Sequence, residues 1–360
     1  MHHVRSNGRE SRDAQCAGAT RHRWGIILAG GDGTRLRPLT RMACGDNRPK
    51  QFCPLLGGKT LLAHTRRRIA KAIDPDRMLF VLTKKHEPFY KEALASIPRF
   101  QKIVQPHNRG TLPAILWSLL HLFHADEDAL VAFFPSDHYF GNEAGFLFTI
   151  ERAFDFAEKS PDSVILLGAE AERPETEYGW IEPGDAIRGL GHEFAPVRRF
   201  WEKPPLETAR TLLDQGCLWN TFVMIGSAGA FLDMIRRSVP ALAETFETAL
   251  KGSGLEFEEQ QLQAVYDNLS PVEPSDFSRA VLAFSTERLL VASCGEVGWS
   301  DLGEPRRFIA ALTENDAENP WAKADICNKC GLTREQIVTL SGSKTGATPI
   351  HEPVILTPSS

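Results

Sequence analysis

The chain has 360 residues, 42% of them hydrophobic, and its 41 Lys and Arg against 46 Asp and Glu give a formal net charge of −5. That length suits one large α/β domain or two domains around a sizeable core. The mild negative charge leaves no global basic field, so nucleic acid and anionic membranes are not expected partners, and no stretch approaches the ~20 apolar residues of a membrane span.

Residues 1–23 hold five Arg and no apolar run, so they are not a secretory signal and read as a disordered basic tail. Trp24–Leu28 predicts a buried strand, and after Ala29 the chain enters Gly30, Gly31, Asp32, Gly33, Thr34 and Arg35. Without a Cβ in the way, backbone N–H groups at glycines can approach a polyphosphate closely. Arg35 adds a planar fork matched to phosphate oxygens, and Lys50, in R-P-K-Q-F, adds a compact second cation. The loop is not a G-x-x-x-x-G-K-S/T phosphate loop. It also lacks the third glycine of the dinucleotide fingerprint, since Leu36 stands there. A plain Gly-rich turn is the alternative for the glycines alone; the cations favour a triphosphate site.

Further strands are predicted at Met78–Leu82, Leu130–Phe134 and Val164–Gly168. Helices are predicted at Leu61–Ala72, Pro88–Ile97, Leu112–His124 and Phe146–Ala157. Thr111 suits the cap of the third helix and Pro113 its first turn. Strands alternating with helices imply a largely parallel sheet, whose ligands sit at the carboxyl ends of strands. Leu130–Phe134 ends there in Pro135-Ser136-Asp137-His138. Asp137 can ligate Mg²⁺ or cap a turn.

The second half is less regular. Tyr178–Glu182 and Val197–Trp201 look like strands; Leu206–Asp214, Ala230–Ser238, Leu242–Lys251 and Glu256–Leu269 look like helices. Leu289–Ala292 is a late strand, followed by V-G-W-S-D-L-G with Asp301 as a second candidate Mg²⁺ ligand. Glu304–Leu312 reads as a closing helix and residues 314–360 as a loosely ordered tail, leaving residues 24–313 as one catalytic domain. Seven Cys at irregular spacing suggest reduced thiols in a cytoplasm. Cys327-x-x-Cys330 lacks a second pair and reads as incidental.

Taken together, L-A-G-G-D-G-T-R-L-R-P-L-T, P-K-Q-F, P-S-D-H, R-F-W-E-K-P, W-N-T and G-W-S-D-L-G resemble the sugar-1-phosphate nucleotidylyltransferases, and within them most closely the mannose-1-phosphate guanylyltransferases. The likeness spans roughly Trp24 to Phe308. It implies a Rossmann-like, GT-A type α/β/α fold in three layers with a mixed, mostly parallel sheet. It also implies transfer of a nucleoside monophosphate from an NTP, GTP first, to a hexose-1-phosphate, mannose-1-phosphate first, with Mg²⁺ as cofactor.

The resemblance assigns residues to roles. Leu28, Ala29, Gly30, Gly31, Gly33, Thr34 and Arg109 would bind the nucleotide, and Arg35 and Lys50 would act in catalysis. Asp137 and Asp301 would hold the metal. Glu202 would bind the sugar and Lys203 its phosphate, with Asn220 on a sugar hydroxyl and Gly179 beside the hexose. The chain departs from the pattern in three places. Gln105 and Gly110 stand where Glu and Asn are common, so glucose-1-phosphate thymidylyl or uridylyl transfer stays open. Phe222-Val223-Met224 replaces the usual small-Gly continuation, so the wall of the sugar pocket differs. The expected partners are small molecules, and assembly as a homodimer is left open. A non-catalytic nucleotide-sugar sensor on the same fold is the competing class, and the retained cations and carboxylates argue against it.

Overall fold

The computed structural model describes residues 22–56, 58–185, 194–251, 255–270, 273–304 and 307. Its elements in chain order are β1 (Arg23–Leu28), α1 (Arg37–Cys44), α2 (Leu61–Ile69), β2 (Met78–Thr83), α3 (Glu87–Tyr90), β3 (Lys102–Gln105), α4 (Thr111–Ala125), β4 (Leu130–Pro135), β5 (Tyr139–Phe140) and α5 (Glu143–Ala157). They continue with β6 (Val164–Glu170), β7 (Gly179–Pro183), β8 (Phe194–Glu202), α6 (Leu206–Asp214), β9 (Leu218–Ser227), α7 (Ala228–Ser238), α8 (Pro240–Ala249), α9 (Leu255–Asn268), α10 (Phe277–Ala280), β10 (Leu289–Ser293) and β11 (Trp299–Ser300).

Nine strands form one sheet in the order β3-β2-β1-β4-β9-β6-β10-β8-β7, and β5 pairs β11 in a small separate ribbon. Strands β8 and β9 run against the other seven, so the sheet is mixed and mostly parallel. Its central strands are apolar throughout because both faces are covered; every residue of β2 is buried. Side chains alternate between two cores. Ile26, Val131 and Phe133 face one, with α4, α7, α8 and α9. Ile27, Ala132 and Phe134 face the other, with α2, α5 and α6. Phe133 meets Phe231 edge to face at 5.1 Å, a contact whose truncation to Ala would cost about 3–5 kcal/mol.

Several expectations shift. Arg23 belongs to β1 rather than to the tail: its buried guanidinium pairs with Glu151, Asp155 and Glu158 on α5 and just beyond it. Helix α3 is shorter than the predicted Pro88–Ile97, and Pro98 disfavours helix in the residue before it. Thr111 is the first helical residue, not the cap. Gly110 precedes it at φ 88, and the Thr111 hydroxyl accepts from the Phe277 N–H at 2.9 Å. The reading of all cysteines as thiols is corrected at one pair. Cys44 and Cys53 form a disulfide, Cα atoms 6.6 Å apart, because the chain after α1 doubles back through Lys50; Cys217 and Cys294 are free and buried. Strands β3, β5, β9 and β11 and helices α1 and α10 were not predicted. The two tails, most of Glu304–Leu312 and the Cys327–Cys330 pair lie outside the described residues. Among the described residues no helix is long and apolar enough to cross a membrane.

Candidate functional site

Strands β1 and β4 end side by side, Leu28 opposite Pro135, at the mouth of a cavity of about 380 Å³. That volume lies within the usual range for small-molecule sites. Its wall is formed by Leu28, Gly30, Gly31, Gln105 and Asn108 from the β1–β3 side of the sheet, by Arg35, Asp137 and Asp301, and by Gly179, Glu202, Lys203 and Asn220 from the β7–β9 side.

The glycine loop is held from behind, through its carbonyls. Gln51 Nε2 donates to Ala29 O at 3.0 Å and Gly31 O at 2.7 Å, and the Thr83 hydroxyl donates to Gly30 O at 2.9 Å. Gly33 takes φ 57, and a Cβ there would meet the Lys50 backbone N at 3.1 Å, so the loop and the Lys50 turn touch without room for a side chain. Asp32 ties the loop outward to Lys85 at 2.5 Å and His86 at 3.1 Å. Burial would raise the Asp32 pKa, but hydrogen bonds from Lys85 and Asn108 outweigh it and hold the carboxyl below its usual range.

Lys50 does not line the cavity; it lies behind the wall, 8% exposed. Its Nζ donates to Asp301 O at 2.5 Å and Leu302 O at 3.3 Å and pairs with Asp137 Oδ2 at 3.3 Å. One ammonium therefore joins both candidate metal-ligand segments. Asp301 Oδ1 is saturated by Tyr178 OH at 3.0 Å, the Gly303 N–H at 2.8 Å and Arg307 Nη1 at 2.6 Å. Among the described residues Oδ2 has a cation only in Arg35, 4.0 Å away. Burial works to raise the Asp301 pKa, yet the charges of Lys50 and Arg307 pull it down to about 2. An ionised carboxylate with one oxygen spare, beside a second carboxylate in the same cavity, suits a hard cation that takes its other ligands from phosphate and water. Among the described residues no group of three or more His, Cys, Asp or Glu is placed to hold a metal ion by itself. Burial lowers the His138 pKa below the usual imidazole range, and its Nδ1 accepts from Trp299 Nε1 at 3.3 Å.

Arg35 is half exposed and bridges to Glu177 at 3.1 Å across the mouth. On the β7–β9 side, Lys203 Nζ is 3.9 Å from Glu202 Oε1. Burial, reinforced by Asp276, pushes the Glu202 pKa up to about 7. A Cβ on Gly179 would meet Glu202 Oε2 at 3.1 Å and Asn220 Cβ at 3.3 Å, so these three residues close on one spot that only glycine leaves open.

Four of the nucleotide residues expected from sequence lie off the cavity wall. Ala29 is fully buried and contributes a clamped carbonyl, while Gly33 and Thr34 pass outside. Arg109 turns away, its Nη2 donating to Tyr266 O at 3.3 Å. Conversely, Gln51, Asp276, Ser278 and Phe222 line the cavity without having been assigned a role. Gln51 sits inside P-K-Q-F, so its signal was present. Asp276 carries only the signature of a helix cap, which it also is, accepting from the Arg279 N–H at 3.0 Å. Arg307, which orients Asp301 and pairs with Glu175 at 3.0 Å, had no sequence signal.

The chain is 31% identical over 304 residues to the xanthan biosynthesis protein XanB of Xanthomonas campestris pv. campestris (strain ATCC 33913), covering 84% of this chain and 62% of that protein. It is 29% identical over 301 residues to mannose-1-phosphate guanylyltransferase ManC of Salmonella typhimurium, covering 82% and 60%. The chain thus spans about three fifths of the length of these curated relatives. A solved structure titled mannose-1-phosphate geranyltransferase, from Thermus thermophilus, superposes with a TM-score of 0.68 at 28% identity, over 83% of this chain and 80% of that one. The family model described as nucleotidyl transferase matches residues 24–318, from the first strand past Arg307. That match covers most of the chain, and the chain belongs to the nucleotidyl transferase family.

Proposed function

We propose that the chain transfers a guanylyl group from GTP to mannose-1-phosphate, forming GDP-mannose and pyrophosphate. The observation that carries this reading is that Gly30 and Gly31, Asp137 and Asp301, and Glu202, Lys203 and Asn220 all line one cavity, as a site for a triphosphate, a divalent cation and a sugar phosphate would require. The name of the Salmonella relative supports the substrate pair.

A phosphate oxygen of the sugar phosphate attacks the α-phosphorus of the triphosphate. The new P–O bond forms as the bond to the bridging oxygen breaks, and its electron pair leaves on pyrophosphate. The nucleophile is already an anion at neutral pH, so no residue need remove a proton; positioning and charge neutralisation do the work. The N–H groups of Gly30 and Gly31 receive phosphate oxygens while Gln51 and Thr83 hold the carbonyls back. Arg35, exchanging Glu177 for phosphate, neutralises the β,γ end. Lys50 keeps the Asp137 and Asp301 segments together and puts positive charge behind the α-phosphorus. Lys203 brings in the sugar phosphate. Asp137 and the spare Oδ2 of Asp301 would hold Mg²⁺, which when bound offsets charge on the triphosphate and on the departing pyrophosphate. A cytoplasmic location now rests on the diffusible substrates alone, because the Cys44–Cys53 disulfide removes the reduced-thiol argument for it.

The test is pyrophosphate release with Mg²⁺ across GTP, dTTP, UTP, ATP and CTP, each paired with mannose-1-phosphate and glucose-1-phosphate. GTP with mannose-1-phosphate is expected to be fastest. Another winning pair replaces the substrate assignment, and no release in any pairing overturns the catalytic reading in favour of a sensor.

A further inference from the structure

Three non-glycine residues among those described have positive φ: Lys203 at 50, Phe222 at 61 and Leu302 at 48. Lys203 and Leu302 directly follow the site carboxylates Glu202 and Asp301. Phe222 stands on the sugar-side wall of the cavity, two residues after Asn220. A side chain bearing a Cβ is disfavoured in this region, and a residue held there in a cavity wall is a reason to ask what its side chain does.

The backbone explains how Phe222 is held. In the pairing of β9 with β6, Met224 lies opposite Leu166 and Asn220 opposite Gly168. Residues 221 to 223 therefore face Leu167 alone, and β9 bulges. The bulge is held by hydrogen bonds: the Thr221 hydroxyl donates to Leu167 O at 2.7 Å and accepts from the Val223 N–H at 3.2 Å. The Phe222 N–H donates to Asn220 Oδ1 at 3.1 Å. None of these bonds needs an aromatic ring at position 222, and glycine would meet the same φ without steric cost. Phe222 is partly buried against the core and also lines the cavity, whose wall includes Asn220, Glu202 and Asp276. This is an apolar plate set among hydrogen-bonding groups. A pyranose matches such a wall, because its C–H face is apolar while its hydroxyls project from the rim.

Resting on the proposed function, we infer that Phe222 is the platform on which the hexose ring of the acceptor lies, with Asn220 and Glu202 reading hydroxyls at its edge. The bound Oδ1 leaves Asn220 Nδ2 as the donor for that reading.

The experiment compares wild type with Phe222→Gly, Phe222→Leu and Phe222→Tyr in the full chain. It measures KM for mannose-1-phosphate and for GTP, and direct binding of mannose-1-phosphate by calorimetry. Losing the ring should raise the sugar-phosphate KM and Kd by about tenfold while the GTP KM stays within about twofold, and Phe222→Tyr should restore the wild-type values. Phe222→Leu keeps an apolar side chain on the core, so the comparison stands even if the Gly variant does not fold. Unchanged sugar-phosphate binding in Phe222→Leu, or equal losses for sugar phosphate and GTP, overturns the platform. If wild type transfers nothing yet binds mannose-1-phosphate in a ring-dependent way, the catalytic reading fails and the platform stands. If wild type does not bind mannose-1-phosphate, both fall.

Discussion

Before any substrate arrives, the Lys50 ammonium is already met by two backbone carbonyls and the Asp137 carboxylate. Its removal therefore does two things: it deletes charge behind the reacting phosphorus and leaves Asp137 and Asp301 without a shared counter-ion. Lys50→Ala should lower kcat by about two orders of magnitude or more with a much smaller change in the sugar-phosphate KM, as expected for charge stabilisation of the transition state. Steady-state kinetics decide it, and an unchanged kcat removes Lys50 from the mechanism. Glu202 offers a second handle, because its carboxyl is raised from 4.5 to about 7 by burial and by Asp276, against the opposing charges of Lys203 and Arg279. The folded state then holds this proton more tightly than the unfolded one. Stability falls as pH rises from about 4.5 and levels off above about 7, a loss of up to about 3 kcal/mol. Glu202→Gln should flatten that part of the stability–pH profile measured by chemical denaturation; parallel profiles would show that the residue does not titrate this way. Residues in contiguous motifs, such as Lys50 and Asp301, were legible in sequence. Arg307 and Asp276 were not, because their positions depend on distant segments coming together.

At the scale of elements, β1, β2, β4 and β6, buried along nearly their whole length, were legible as unbroken apolar runs, and β7, β8 and β10 were legible as shorter strand patterns within a residue or a few of their observed bounds. Strand β9 was missed although it occupies the centre of the sheet. Its first residues carry the polar Asn220 and Thr221 and its middle is bulged, so neither a clean run nor a strict alternation marks it. The disulfide was missed for a different reason: nothing in nine residues of separation says that α1 returns over the Lys50 turn. That bond closes the segment carrying Lys50. Closure of so short a loop should contribute about 2–3 kcal/mol by restricting the unfolded chain. Cys44→Ser, or reductant on the wild-type chain, should lower unfolding stability by that amount, with the two effects not adding. A melting temperature indifferent to both would mean that the bond contributes nothing in solution.

Across the whole molecule, the sheet divides at β9. On one side β3, β2, β1 and β4 run parallel and present the glycine loop, Gln105 and Asp137; on the other β6, β10, β8 and β7 present Gly179, Glu202 and Lys203. Strand β9 runs against all three of its partners, β4, β6 and β7, and carries Asn220 and Phe222 into the gap. The cavity thus lies where the sheet changes its pairing sense, as ligand sites in open α/β sheets do at a change of strand order. The mostly parallel layout was legible from the alternation of strands and helices, but this division was not, since it depends on the direction of one unpredicted strand. The division makes ligand occupancy separable by hydrogen exchange. GTP alone should slow amide exchange in residues 29–34 and leave residues 179–183 and 200–203 near their free rates. GDP-mannose should slow both sets, because it reaches across β9. Binding stabilises whichever segments it contacts, by about 2.7 kcal/mol at a hundredfold excess over Kd, so the difference is within reach of exchange mass spectrometry. Protection confined to the glycine loop with GDP-mannose would mean that the two sides of the cavity do not serve one ligand, and the single-site reading of the sheet would fail.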